Sequence, residues 1–226
     1  MKHKIHGQMS DSFLTAAFLS VSGGLQDAYT YIFRGKVFAN AQTGNILLLG
    51  INISERNWQM ALHYLVPVLA FAIGIALADL VKIRTKDLTL LHWRQISVFC
   101  EAVILLSVSF IPQDFNLVAN ALTSLACGIQ VESFRKIHGN GIATTMCIGN
   151  LRSATQHMCS YANTKDKEYI KKGLLYYGII FFFVIGAIIG NACVEMFAEK
   201  ALLIASAILA VAFVMMFVDG EKEQCK

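Results

Sequence analysis

The sequence predicts an all-α, polytopic membrane helical bundle of about six crossings plus two short interrupted or re-entrant segments, arranged as an inverted 3+3 repeat. Three observations predict it. The first is composition. Of 226 residues, 56% are hydrophobic and 15% are charged, where soluble domains carry about 25% charged residues, and the mean hydropathy is +0.55. The second is a set of apolar runs on the scale of the roughly 20 residues a membrane span needs. Gly173 to Val194 is 22 uncharged residues, Ala201 to Val218 is 18, and Trp58 to Val81 is 24 with one aspartate and one histidine. The third is an internal echo. Gly24-Leu25-Gln26-Asp27 precedes Thr43-Gly44-Asn45, and about 104 residues later Gly128-Ile129-Gln130-Val131 precedes Ile148-Gly149-Asn150. A duplicated polar, glycine-rich interruption in apolar sequence marks a membrane protein built from two similar halves, with function expected at the interruptions.

Eight helical segments are expected, at 12–33, 38–53, 58–82, 93–111, 115–134, 141–162, 172–195 and 200–218. Breakers and charges separate them. Arg34-Gly35-Lys36 follows the first, and Ser54-Glu55-Arg56-Asn57 follows the second and supplies capping residues for the third. Lys82 to Asp87 ends the third, Pro112-Gln113-Asp114 the fourth, and Arg135-Lys136 with His138-Gly139-Asn140-Gly141 the fifth. Asn163 to Lys172 is the most polar loop, and Glu195 to Lys200 divides the last two segments. No Pro-rich or Ser-rich linker appears. The chain therefore reads as one integral membrane domain, 1–226, with a first half-repeat at 1–112 and a second at 113–226. Lys2-His3-Lys4 ahead of Phe13 to Gly23 resembles a signal peptide, but the apolar stretch runs on to Phe33. Its counterpart in the second half cannot be a signal peptide, so the first segment is read as an uncleaved span.

Loop charge distinguishes crossings from dips. If all eight segments cross, nine Lys/Arg fall on each side, with Arg152 inside a segment. If the second and sixth segments enter and return on the same face, fourteen fall inside and four outside (Arg34, Lys36, Arg56, Lys200). The second arrangement obeys the positive-inside rule and puts both termini in the cytoplasm. The second segment is short for a crossing. The sixth carries Asn150, Arg152, Ser153, Gln156 and His157 within eight residues, too polar to face lipid. A dip by the first segment would give a still stronger bias, but its length argues against it. Three crossings per half turn the second half upside down relative to the first, so the two dips would enter from opposite faces.

The residues able to carry chemistry lie in and around the echo. Glycine permits the non-helical backbone that a membrane tolerates only where it is buried or lines water, and Gly23-Gly24 and Gly44 suit such breaks, or else serve as small-residue contacts that let helices pack closely. Gly74 and the Gly186/Gly190 pair read instead as small-residue packing contacts. In Gly44-Asn45 and Gly149-Asn150 a polar amide follows the glycine directly, which marks a functional break. Asp27 is the sharpest single residue. An intramembrane carboxylate must be paired, protonated or facing water. It therefore reads as a proton- or cation-coupling group, or as a structural partner for Arg152 or a group near Arg34. Glu101 follows the same logic but has no counterpart in the other half. Glu132, one turn from Arg135, reads as a helix-end ion pair. Arg152 is an anion contact or the charge partner of Asp27. The expected substrate or ion path is Gln26, Asp27, Thr43, Gly44, Asn45, Gln130, Gly149, Asn150 and Arg152.

Several classes are excluded. The formal charge of +4 is scattered at the ends of apolar runs, which is loop anchoring rather than a nucleic-acid stripe. The six cysteines have no zinc spacing, and five lie in apolar segments as small hydrophobes. No catalytic motif, phosphate loop or dinucleotide fingerprint appears. No cofactor and no metal are expected, and the chain reads as a non-enzyme.

These residues together resemble the YoaK family, small bacterial membrane proteins defined by a domain of unknown function. The first signature is similar to Gly23-Gly24-x-x-Asp27-Ala28 followed by Thr43-Gly44-Asn45. The second is similar to Gly128-x-Gln130, then basic residues, then Ala143-Thr144-Thr145 with Gly149. Family members usually carry Asn after this Gln and a Thr-Gly pair in the second loop, where this chain has Val131 and Ile148-Gly149-Asn150. The resemblance spans nearly the whole chain and implies a multi-pass protein of the bacterial inner membrane. It implies no particular substrate.

The expected function is passage of a small solute or ion through a polar site between the halves. A non-transporting membrane scaffold or partner protein, using the faces around Gly74 and Gly186, is the alternative, and an intramembrane enzyme is the third. The expected partners are the lipid bilayer and a small solute or ion, with no nucleic acid. Homo-oligomerisation is allowed but not specified.

Overall fold

The computed structural model describes residues 12–84, 93–136 and 141–224, with side chains described through 216. Its regular elements are all helical: α1 (Phe13–Phe33), α2 (Gln42–Ser54), α3 (Trp58–Arg84), α4 (Trp93–Val108), α5 (Asn116–Ser133), α6 (Cys147–Thr164), α7 (Lys167–Phe197) and α8 (Leu202–Gln224). Short 3-10 turns at Gln113–Phe115 and Ala198–Ala201 lead into α5 and α8. No strand occurs among the described residues.

Local chemistry sets the ends. Ser12 caps α1, its side chain accepting the Thr15 N–H at 3.1 Å. The Asn57 carboxamide accepts the Met60 N–H at 3.3 Å, so the polar run before α3 does cap it. Asp166 accepts the Glu168 N–H at 2.9 Å and starts α7 at Lys167 rather than at residue 172. A capped polar first turn therefore extends this helix beyond its apolar run. The expected ion pair between Arg135 and Glu132 forms at 3.2 Å.

The sharpest departures are at the second and sixth segments. They were expected to be helical from 38 and 141, but α2 starts at Gln42 and α6 at Cys147. The preceding stretches, 34–41 and 141–146, are not helical. Gly35 (φ 86) and Lys36 (φ 64) turn the chain in the left-handed region at the end of α1, a conformation that suits glycine and strains lysine.

Gly23-Gly24 does not break α1, which runs through both residues. Glycine is used there for proximity. A Cβ on Gly24 would fall on the Phe183 carbonyl oxygen and 2.9 Å from the Ala187 nitrogen, both in α7. From the other side, a Cβ on Gly186 would fall on the Val21 carbonyl oxygen, and one on Gly190 would lie 2.9 Å from Ala28 Cβ. The α3–α5 crossing repeats this contact. A Cβ on Gly128 would fall on the Phe71 carbonyl oxygen, and one on Gly74 on the Leu125 carbonyl oxygen. Lipid tails are as apolar as leucine, so membrane helices gain little from burying leucines against each other. They gain from close backbone approach through small residues.

The large apolar side chains point outward instead. Leu62, Leu69, Ile73, Leu77 and Leu80 make an exposed stripe on α3, and Phe181, Val184 and Ile188 one on α7. The α3 helix and the stretch Lys167–Met216 each contain an 18-residue window of mean hydropathy 2.2, long and apolar enough to cross a membrane, with only 28% of that window buried inside the protein.

At one end of the bundle the loops meet around Arg34, which is fully buried. Its guanidinium donates to Tyr29 Oη at 2.7 Å, to Asn116 Oδ1 at 3.0 Å and to the Ile111 carbonyl at 2.6 Å. Tyr29 in turn donates to the Glu199 carbonyl at 3.2 Å, and His63 Nε2 lies 3.0 Å from the Gly35 carbonyl oxygen. Residues 34–35, 63, 111–116 and 199 therefore share one end.

Candidate functional site

The candidate site forms where the two non-helical stretches meet α1 and α5. Asn45 and Asn150 make these stretches possible. Asn45 Nδ2 donates to the Phe38 carbonyl at 2.7 Å, and its Oδ1 accepts the Phe38 N–H at 3.0 Å. Asn150 does the same seven residues back, donating to the Ala143 carbonyl at 2.6 Å and accepting its N–H at 3.4 Å. Each side chain replaces the backbone partner that an interrupted helix loses, which a buried segment requires. Both asparagines are buried. Expected as path-lining groups, they are committed to holding the two stretches in shape.

Asp27 is committed in a similar way. Its Oδ1 accepts the Asn40 N–H at 2.7 Å, and the N–H groups of Ala41 and Ala39 also point to the carboxylate. The Asn40 side chain donates to the Gly23 carbonyl at 3.1 Å. The stretch before α2 is thus fastened to the middle of α1 at Asp27 and Gly23. The stretch before α6 reaches the same place: a Cβ on Gly23 would lie 2.5 Å from Thr145 Cγ2 and 3.7 Å from Asn40 Nδ2. Asn40 and Thr145 thus flank one glycine, halfway along α1.

A chain of polar contacts runs through this point. Glu101 Oε1 accepts from Gln26 Nε2 at 3.1 Å, and that amide also donates to Ser22 Oγ at 3.0 Å. Cys127 Sγ donates to Gln26 Oε1 at 2.9 Å, and the Asn40 side chain lies against the same thiol. On the other side of Gly23, Gln130 Nε2 donates to Thr144 Oγ1 at 2.8 Å and to the Leu19 carbonyl at 3.2 Å. The two glutamines of the sequence echo therefore each anchor a hydrogen-bonded group between α1 and α5.

Four buried oxygens in or beside these two groups have no hydrogen-bond partner among the described residues: Asn40 Oδ1, Glu101 Oε2, Gln130 Oε1 and Thr145 Oγ1. Their residues are at most 4% exposed. Asn120 and Ser133, on other turns of α5, also leave one buried polar atom each. Nearly all buried polar groups in folded proteins are satisfied, so these orphans need an explanation.

Among the expected path residues, Gln26, Asp27 and Gln130 lie in or beside these groups. Thr43 is exposed and Gly44 packs on the Phe38 ring. Gly149 has no neighbouring atom within 4 Å of where its Cβ would stand. Arg152 is exposed on α6, and no ion pair joins it to Asp27 among the described residues. A helix of 18 residues carries its side chains around all faces, and Arg152 falls opposite to buried Asn150 and Ala154. Asn40, Glu101, Thr144 and Thr145 were not in the expected path. Glu101 had a sequence signal, an acid within an apolar segment. Asn40 had none, since only the fold carries it back to α1.

Residues 15–215 match the model of a family described as "Protein of unknown function (DUF1275)". The chain is also similar to the UPF0700 transmembrane protein YoaK of Bacillus subtilis (strain 168). The two are 25% identical over 185 residues, covering 76% of this chain and 80% of the relative. No solved structure matches.

Proposed function

The chain belongs to the DUF1275 family of membrane proteins, and we propose that it passes a small solute or ion across the bilayer through the polar centre beside Gly23. The observation that carries this reading is the group of orphaned oxygens of Asn40, Glu101, Gln130 and Thr145, buried where two non-helical stretches meet. Irregular backbone at membrane depth needs a protein or water lining, and binding sites of many transporters are built from such interrupted helices.

The proposed topology is six crossings and two re-entrant segments, with both termini cytoplasmic and the halves inverted. It is supported by paired contacts. The Gly24–Phe183 approach of α1 to α7 has its counterpart in the Gly128–Phe71 approach of α5 to α3. The Asn45–Phe38 clamp has its counterpart in Asn150–Ala143. In this reading 34–41 enters from the outer face, α2 returns there, 141–146 enters from the cytoplasm, and α6 returns there. The proposed location is the bacterial cell membrane.

The test is solute flux in vesicles reconstituted with purified protein, read as swelling or tracer uptake over a panel of small neutral, anionic and cationic solutes. Gly23→Ala places a methyl group against Thr145 between the two stretches. It is expected to lower the flux of the transported solute about tenfold or more, on the scale of a 1.4 kcal/mol barrier change. A folded protein with no flux of any solute, or unchanged flux in folded Gly23→Ala, would overturn the proposal.

A further inference from the structure

The atoms left free at this centre define what it can bind. Three of the four only accept once Glu101 is ionised: an amide oxygen on Asn40, another on Gln130, and a carboxylate oxygen on Glu101. The fourth, Thr145 Oγ1, can accept as well. Asp27 and Glu101 place two carboxyl groups in the same network, and neither makes an ion pair among the described residues. The two acids differ. Asp27 is occupied by the backbone N–H groups of residues 39–41. Glu101 uses one oxygen on Gln26, and the other is buried and free. Most of the amide donors that an anion would need are already spent. Gln26 Nε2 serves Glu101 and Ser22, Gln130 Nε2 serves Thr144 and Leu19, and Asn40 Nδ2 serves Gly23. The buried arginine, Arg34, is fully engaged with Tyr29, Asn116 and Ile111 at the end of the bundle.

We infer that this centre takes a small monovalent cation, an alkali ion or a primary ammonium, with Glu101 as its anionic ligand and Asn40, Gln130 and Thr145 as neutral oxygen ligands. Hard cations select oxygen ligands of this kind, and a primary ammonium has three donors for the same acceptors. A carboxylate with one buried, unpaired oxygen is stabilised by such a partner. Asp27 holds the shape of the site and does not touch the cation. The inference rests on the functional reading above and adds the charge class of what is carried.

The experiment measures binding apart from transport. Purified wild-type protein in detergent is heated in sodium, potassium or methylammonium chloride, with N-methyl-D-glucamine chloride as reference at equal ionic strength. One of the three cations is expected to raise the Tm by about 3 °C or more at a concentration well above its Kd. Sodium or potassium alone acting identifies an alkali site, and methylammonium alone an ammonium site. Glu101→Gln keeps the shape of the side chain and should abolish the shift. If that variant does not fold, Thr145→Val, which removes one neutral ligand, should raise the apparent Kd about tenfold. No cation-specific shift in the wild type, or a shift that survives in folded Glu101→Gln, would overturn the inference. Flux of a neutral or anionic solute would then leave the transport proposal standing without it. Cation binding with no flux of any solute would uphold the site and remove the transport function.

Discussion

Asp27 Oδ1 accepts the Asn40 N–H at 2.7 Å and so ties the middle of α1 to the chain just ahead of α2. A single carboxylate serves several backbone donors that no helix or strand satisfies. Asp27→Ala leaves those buried donors without a partner and is expected to lower stability by about 1–3 kcal/mol. Asp27→Asn keeps one acceptor oxygen and should lose less. Denaturation in detergent, followed by the loss of helical circular dichroism, measures both. Equal stability of Asp27→Ala and wild type would show that the carboxylate does not hold this stretch.

The clamps formed by Asn45 and Asn150 predict a matched pair of effects. Each makes two hydrogen bonds to one residue seven positions earlier. Asn45→Ala and Asn150→Ala are each expected to cost about 1–3 kcal/mol. They share no partner, so the double variant should lose close to the sum. The same unfolding assay reads all three, and an alanine variant as stable as wild type at either position would remove that clamp from the account.

These two clamps show what the sequence makes legible and what it hides. The echo of Gly44-Asn45 and Gly149-Asn150 located both interruptions to within a few residues, because a polar amide in an apolar run must have a special partner. It did not reveal that the partner is the asparagine's own upstream backbone, a local bond that pattern cannot tell from a bond to a ligand. Gly74 and Gly186 were legible as packing positions, since a small residue in a lipid-facing helix has few other uses. Gly24 was read as suiting a break, with close helix packing as the alternative, and it belongs to the same α1–α7 crossing as Gly186. Asn40 was invisible as a site residue, because its position depends on a turn at Gly35 and Lys36 that sends the chain back along α1. Arg152 was drawn into the site by scarcity, as the one basic residue left within a segment. The face of the helix on which it falls decides otherwise.

Labelling by a membrane-impermeant thiol reagent tests the proposed topology. Single cysteines replacing Gly35, Glu55, Lys136 and Thr164, in a background without the native cysteines, are expected to react from the outside, outside, inside and inside respectively. The first pair brackets α2 and the second brackets α6. Labelling of positions 35 and 55 from opposite faces would make α2 a crossing and break the re-entrant reading of the first half. The same result at 136 and 164 would break it for the second.

The helix crossings predict opposite outcomes for glycines that look alike in sequence. At Gly24 a methyl group would collide with the Phe183 carbonyl of α7, and at Gly128 with the Phe71 carbonyl of α3. Backbone atoms cannot rotate away as side chains do, so each helix pair must separate. Gly24→Ala and Gly128→Ala are each expected to cost about 1–3 kcal/mol, the range for overpacking a tight interior. Gly50, within α2, and Gly149, in the first turn of α6, have no atom within 4 Å of the added carbon. Alanine there favours the helix by up to about 1 kcal/mol, so both variants should match or exceed the wild type. Thermal unfolding of the four variants separates the two groups. A stable Gly24→Ala protein would mean that α1 and α7 are not in backbone contact, and would remove the main support for pairing this crossing with that of α3 and α5.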